Sequence, residues 1–130
     1  MKSEGSEMRI ISTDKAPAAV GPYSQAVEHD GIVYVSGQIP LNPVTGTVPE
    51  GMEEQTRQAL DNLKNVIEAS GSSMDKVLKV TLFITDMSLF PQVNSVYAEF
   101  FDSNRPARSC IAAASLPKGV MIEVDAIASV

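Results

Sequence analysis

The chain has 130 residues, a formal net charge of −6 and 44% hydrophobic residues. This length and composition are typical of one globular domain that buries a core without disulfide bonds. The acidic balance disfavours binding to nucleic acid or to an anionic membrane surface, because both attract basic proteins. We therefore expect neither nucleic acid nor membrane as a partner.

The first residues and the cysteine content bear on the cellular compartment. Residues 1–7 lack the apolar stretch of a signal peptide, and they are predicted to be a disordered leader before one domain at residues 8–130. No apolar run is long enough to span a bilayer. The single cysteine, Cys110, excludes an internal disulfide and fits a reducing compartment. We therefore expect a cytoplasmic protein.

The first half of the chain begins with strand patterns. Residues 8–11 form a short strand candidate, and residues 23–29 lead through Asp30-Gly31 into a second β-prone run at residues 32–38. Asp-Gly between two such runs predicts a hairpin, because a type I′ turn needs positive φ at both central residues. Gly37, inside the second run, predicts a bulge or a place where another group approaches the backbone closely.

Two helices are predicted from apolar periodicity. From Met52 an apolar stripe with a helical period runs until Gly71, which supplies the stop. After a β-branched strand at residues 76–85, Ser88 is the expected N-cap of a second helix that continues to about Phe101. The inner stripes of the two helices are Ala59, Leu60, Leu63, Val66 and Ile67, and Val93, Val96, Tyr97 and Phe100.

Two further strands are predicted at residues 107–115 and 120–128. The resulting order favours an α+β fold with two helices on one face of a single sheet of five or so strands. The other face would then be uncovered, and its candidate residues are Ala112, Ala114, Val124 and Ala126. Because a large open apolar face is unusual for a monomer, we expect self-association through it.

Several kinds of chemistry are excluded by the absence of their motifs. The chain has no glycine-rich phosphate loop and no dinucleotide fingerprint. One histidine and one cysteine far apart in sequence give no metal-ligand pattern, so no metal and no cofactor are expected. His29 lies beside the hairpin turn and is interpreted as a surface residue.

Arg108 and Glu123 are the two residues whose chemistry remains to be explained. Arg108 lies in a predicted core strand, where a fixed cation is costly unless an anion meets it. The functional interpretation is a guanidinium that binds a substrate carboxylate, with a glutamate that activates water; the alternative is two structural or solvated charges.

The expected register of the last two strands separates these residues. If the strands form a simple hairpin, Glu123 faces Ala113 and Arg108 lies roughly 17 Å away along the strand. The two residues could then share a site only between subunits, unless the strands are not neighbours. The sequence leaves both arrangements open.

Seven short motifs resemble those of the Rid (YjgF-like) enamine/imine deaminases. They occur in the family's order and spacing and together span most of residues 8–128. The motifs are GPYSQ at 21–25, VSGQIP at 35–40, QALDNLK at 58–64, VNSVY at 93–97, PARSC at 106–110, LPK at 116–118 and IE at 122–123.

The resemblance implies a chorismate-mutase-like α+β fold and a homotrimer with clefts between subunits. It also implies that Arg108 holds the carboxylate of a small 2-imino acid and that Glu123 positions the attacking water. The residues implied to line the pocket are Tyr23, Ser36, Gly37, Asn94 and Cys110. The chain departs from the family pattern at Ala112 and Ser115, which replace a common glutamate and arginine, and it lacks the usual basic C-terminus. These departures change the charge of the surface and of the subunit interface more than that of the cleft, so they bear on the stability of the assembly before the activity.

The function that the resemblance implies is hydrolysis of 2-iminopropanoate or 2-iminobutanoate to a 2-oxo acid and ammonia. Such imines are released by pyridoxal-phosphate-dependent serine and threonine dehydratases, and they damage other enzymes. The alternatives are a non-catalytic module that binds small carboxylates and regulates a partner, and an RNA-cleaving inhibitor of translation. The acidic composition gives the RNA-cleaving alternative little physical support.

Overall fold

The computed structural model describes residues 7–130. Six strands form one mixed sheet, and two helices pack on one face of it. The strands are β1 Arg9–Ile11, β2 Ala26–His29, β3 Ile32–Gln38, β4 Val77–Ile84, β5 Ala107–Ala112 and β6 Ile122–Ser129. The helices are α1 Met52–Ala69 and α2 Phe90–Phe100. Of the predicted leader, all but Glu7 lies outside the described residues.

The N-terminal half follows the predicted pattern. Asp30 and Gly31 have φ of 52° and 82°, as the predicted type I′ hairpin between β2 and β3 requires. The predicted stripe of α1 is fully buried, and Gly71 ends the helix with φ of 93°. Asn62, buried within α1, donates from Nδ2 to the carbonyls of Ile39 and Leu41, which fixes the loop after β3 against the helix.

The sheet order is β1-β2-β3-β6-β4-β5. The crossover through α2 makes β5 parallel to β4 and leaves the other edge of β4 available. The last strand, β6, lies in that position and pairs antiparallel with both β3 and β4. Of the two arrangements that the sequence left open for the last two strands, a hairpin is therefore excluded, because β4 separates them.

The assignment of side chains to the open face also needs correction. Val124 and Ala126 are buried beneath the helices, and the open face of β6 instead carries Glu123 and Asp125. Ala112 is paired with Ile84, a core residue, and Ala114 lies beyond β5. The error is one of parity, since side chains alternate between faces and a shift of one residue exchanges the whole set.

The start of α2 differs from the prediction that Ser88 is its N-cap. A short 3-10 turn, Met87–Leu89, precedes the helix, and the Asp86 side chain accepts from the backbone N–H of Ser88 at 3.0 Å. The acidic side chain before the turn therefore satisfies the early N–H group, while Ser88 Oγ donates to the same carboxylate at 2.7 Å. Pro91 lies in the first turn of α2, where a proline is tolerated because its N–H group would have no partner.

Candidate functional site

Arg108 lies on the helix-covered face of the edge strand β5. It pairs with Val80, a core residue, and neighbouring side chains in register share a face of the sheet. Its guanidinium carbon is 5.2 Å from the centre of the Phe90 ring and 4.7 Å from that of Tyr97, and Nη1 donates to Asn94 Oδ1 at 2.8 Å. Helix α2 therefore holds the cation by one hydrogen bond and two aromatic faces.

The spacing of these partners on α2 explains how they converge. Phe90, Asn94 and Tyr97 follow one another at intervals of four and three residues, so they lie on one side of the helix. Asn94 was predicted as a pocket residue, whereas Tyr97 was assigned only to the core and Phe90 was missed. The helical spacing is the sequence signal that identifies all three.

The expected burial of Arg108 is wrong, because an edge strand leaves the residue exposed. Among residues 7–130, no carboxylate lies within ion-pair distance of its guanidinium. An exposed arginine carries little desolvation cost, so it needs no structural counter-ion. What distinguishes Arg108 is that it is oriented while most of its donors remain available to an anion.

Cys110 lies two residues along β5 from Arg108 and therefore on the same face. It is half-buried and pairs with Leu82 of the core. Burial raises the pKa of its thiol, with a smaller opposing effect of the Arg108 charge. A neutral thiol is a poor nucleophile, which fits a wall of the site and not a catalytic group.

Glu123 lies on the opposite, open face of the sheet. Its neighbour on β4 is Phe83, three residues from the Val80 that pairs with Arg108, and this odd separation places the two side chains on different faces. Burial raises the pKa of the Glu123 carboxyl, and the nearby charge of Asp125 raises it further. The proton affinity of Glu123 is therefore higher than that of an ordinary glutamate.

Gly37 lies directly against the Glu123 side chain. The register of β3 against β6 is irregular between Val35 and Gln38, which confirms the predicted bulge. A Cβ atom built on Gly37 would lie 1.8 Å from Glu123 Oε2. The absence of a side chain at position 37 therefore lets the carboxylate lie across the backbone of β3.

Tyr23 and Ser36 lie near Gly37 on the same end of the sheet. Ser36 Oγ donates to the Ser24 carbonyl at 2.6 Å, which joins β3 to the loop that carries Tyr23. Tyr23 is exposed and, with Gly37, Gln38 and Lys118, lines a cavity of about 250 Å³. Lys118 was not predicted as a site residue.

The predicted site residues therefore form two groups within the chain. The β5 group comprises Asn94, Arg108 and Cys110, and the β3 group comprises Tyr23, Ser36, Gly37 and Glu123. The sheet separates Arg108 from Glu123, so one copy of residues 7–130 does not bring the two charges into a common site. The arrangement can bind a carboxylate at one group and hold or release a proton at the other.

Other chemistry receives no support from the described part of the chain. Nowhere in residues 7–130 do three or more His, Cys, Asp or Glu side chains lie together as a metal site would require. His29 is half-exposed at the hairpin and lies 3.2 Å from Asp30 Oδ2. No helix in this part of the chain is both long and apolar enough to cross a bilayer.

Comparisons with known proteins identify relatives along nearly the whole chain. The family model described as "Endoribonuclease L-PSP" matches residues 13–130. The chain is 46% identical to the 2-iminobutanoate/2-iminopropanoate deaminase of Escherichia coli K12, over 92% of this chain and 96% of the relative. It is 45% identical to the RutC family protein PH0854 of Pyrococcus horikoshii, over 92% and 95% of the two chains.

The fold is also similar to that of solved structures. The crystal structure of E. coli TdcF with bound serine has a TM-score of 0.91 at 44% identity, covering 94% of this chain and 98% of that one. The motifs, the α+β fold and these relatives agree. The chain belongs to the endoribonuclease L-PSP family, that of the Rid (YjgF-like) proteins.

Proposed function

We propose that this protein hydrolyses small 2-imino acids, with 2-iminopropanoate and 2-iminobutanoate as substrates, to 2-oxo acids and ammonia. The observation that carries the proposal is the state of Arg108, which is oriented by Asn94 and two aromatic rings and has no carboxylate partner in the described chain. A guanidinium presents paired N–H donors that match both oxygens of a carboxylate. The deaminase named among the relatives supports this substrate class.

We infer that the complete site forms between copies of the chain, as a homotrimer. Since Arg108 and Glu123 lie on opposite faces of one sheet, a site that uses both needs the Arg108 group of one copy and the Glu123 group of another. The open face carries the exposed apolar side chains of Ile10, Tyr34 and Ile111, which favours self-association through that face.

In this scheme the substrate carboxylate binds Arg108 and the imine carbon faces Glu123. The Glu123 carboxylate accepts a proton from water as the water oxygen bonds to the imine carbon, which gives a carbinolamine. The proton then passes to the nitrogen. Glu123 next accepts the hydroxyl proton of the carbinolamine and passes it to the same nitrogen as the carbon–nitrogen bond breaks, so the oxo group forms and neutral ammonia leaves. The raised proton affinity of Glu123 suits it to both transfers.

The scheme uses no cofactor or metal, because the substrate is already reactive and needs mainly orientation and one proton-transfer group. Tyr23, Ser36, Gly37, Asn94 and Cys110 would shape the site around the substrate. We propose that the protein acts in the cytoplasm, where removal of the imines released by dehydratases limits damage to other enzymes.

Substitution of Arg108 tests the proposal. We expect Arg108→Ala to abolish the acceleration of 2-oxo acid release in an assay coupled to a serine or threonine dehydratase. Arg108→Lys keeps the charge but loses the paired donors, and we expect it to retain only a small part of the activity. Full activity in Arg108→Ala would contradict the proposed role.

The Glu123→Gln variant distinguishes the proposed enzyme from the alternative of a non-catalytic regulatory module. As an enzyme, the variant should bind a 2-oxo acid as the wild type does and lose hydrolysis. As a regulatory module, it should keep its function unchanged.

The description of the matching family model keeps RNA cleavage as a second candidate. The net charge of −6 disfavours it, because RNA binding is driven by contacts of basic side chains with phosphates. RNA degradation and imine hydrolysis should be measured in the same purified sample. Cleavage that persists in Arg108→Ala and Glu123→Gln would belong to a different site or to a contaminant.

A further inference from the structure

A second arginine lies beside Arg108 in the same cavity. The cavity has a volume of about 480 Å³ between α2 and the start of β5. Arg105 and Arg108 lie on either side of Pro106 and Ala107, and both line it. Among residues 7–130, neither arginine has a carboxylate within ion-pair distance. The cavity therefore offers two guanidinium groups to one ligand.

Arg105 is directed by the turn that precedes β5. Its Nε donates to the backbone carbonyl of Asp102 at 3.4 Å, which leaves both terminal nitrogens available. Asp102 is the one acidic side chain among the residues that line the cavity, and it contacts Arg105 through this backbone atom. The Asp102 carboxylate disfavours binding of an anion at this end of the cavity. Substitution of Asp102 should therefore have the opposite effect on anion binding to substitution of Arg105.

The wall of the cavity next to Arg108 is aromatic. Tyr97 lines the cavity and is only 7% exposed, and its hydroxyl has no hydrogen-bond partner among the described residues. Because this hydroxyl is buried, Tyr97 contributes to the cavity through its ring, over which the Arg108 guanidinium lies.

We propose that Arg105 binds a second carboxylate of the substrate, so that the enzyme also hydrolyses 2-imino dicarboxylic acids such as 2-iminobutanedioate. This rests on the proposed function, in which Arg108 binds the carboxylate next to the imine carbon. A substrate with one carboxylate occupies Arg108 and leaves Arg105 facing solvent. A dicarboxylate occupies both guanidinium groups, and each adds a charge-assisted hydrogen bond.

The test compares two imines in one assay. D-alanine and D-aspartate are converted by the matching flavin-dependent oxidases to 2-iminopropanoate and 2-iminobutanedioate, and semicarbazide traps the imine that has not been hydrolysed. The wild type should accelerate the loss of both imines. Arg105→Gln should lower kcat/KM for the dicarboxylate by about tenfold or more and leave that for 2-iminopropanoate within about twofold.

Two further variants separate local binding from general charge effects. Arg9→Gln removes the same charge at β1, on the opposite edge of the sheet, and should change neither value. Asp102→Asn should raise kcat/KM for the dicarboxylate alone. Circular dichroism and thermal unfolding establish that each variant is folded.

The outcomes distinguish this inference from the proposed function. If the wild type hydrolyses 2-iminopropanoate but not the dicarboxylate, or if Arg105→Gln affects both substrates equally or neither, the role of Arg105 is overturned and the deaminase activity stands. If the wild type hydrolyses neither imine, both proposals fail.

Discussion

Gly37→Ala provides a way to displace the Glu123 carboxylate without changing any titratable group. The new Cβ atom would lie 1.8 Å from Glu123 Oε2, 2.8 Å from Cδ and 3.2 Å from Cγ. Such distances require movement, and the atoms that must move belong to the end of a flexible side chain. Gly37 is not among the described residues with positive φ, so alanine adds no backbone strain there.

The magnitude of the effect should differ greatly between stability and activity. Because the glutamate can swing away, we expect the free energy of unfolding to change by no more than about 1 kcal/mol. The carboxylate must move by more than 1 Å, and a displacement of that size at a reacting group costs about 100-fold in rate. Thermal unfolding and the coupled dehydratase assay measure the two effects.

A double-mutant cycle decides whether the loss of activity in Gly37→Ala is caused by displacement of Glu123. If Gly37→Ala acts through Glu123, it should lower activity in the wild type but cause little further loss in a Glu123→Gln background. Equal losses in both backgrounds would show that Gly37 acts on something else. Full activity in the single variant would refute the proposed position of the carboxylate.

Three further predictions concern single groups. Burial and the charge of Asp125 raise the pKa of Glu123 from its ordinary 4.5, so the folded state binds more protons than the unfolded state and ionisation of Glu123 opposes folding. Glu123→Gln should therefore raise Tm at pH 7. In unfolding scans from pH 7 to pH 3.5, this gain should disappear once the pH falls below the pKa that Glu123 has in the unfolded chain. An unchanged gain at pH 3.5 would contradict this cause. Tyr97→Phe should be neutral or stabilising by up to about 1 kcal/mol in denaturant unfolding without ligand, because it removes a buried hydroxyl that has no partner; a marked loss would indicate a partner for that hydroxyl. Burial raises the pKa of Cys110 above 9.0, so alkylation by iodoacetamide should be slow at pH 7 and Cys110→Ala should retain most activity; rapid alkylation at pH 7 would indicate a thiolate.

The features that could be predicted from the sequence depend on residues that lie close together in the chain. The stripe of α1 and the Asp30-Gly31 turn follow from a helical period and from the φ values that one turn type requires. The bulge at Gly37 was likewise indicated by a glycine inside a strand pattern, although its partner Glu123 lies far away in sequence.

The features that were missed or left open depend on which strands are neighbours in the sheet. A simple hairpin was the shortest connection between β5 and β6, but the position beside β4 was left open by the crossover through α2. The faces that Arg108 and Glu123 occupy follow only from this order. The aromatic support of Arg108 was accessible, because Phe90 and Tyr97 have helical spacing from Asn94.

The position of β6 has a consequence for how the chain folds. The strand that comes last in the sequence joins β3, some ninety residues earlier, to β4, so the halves before and after α1 share no strand pairing until residues 122–129 are in place. Pairing of such distant segments closes large loops and slows folding. During synthesis, the edges of β3 and β4 stay unpaired and exposed until β6 is made. At this stage aggregation competes with folding.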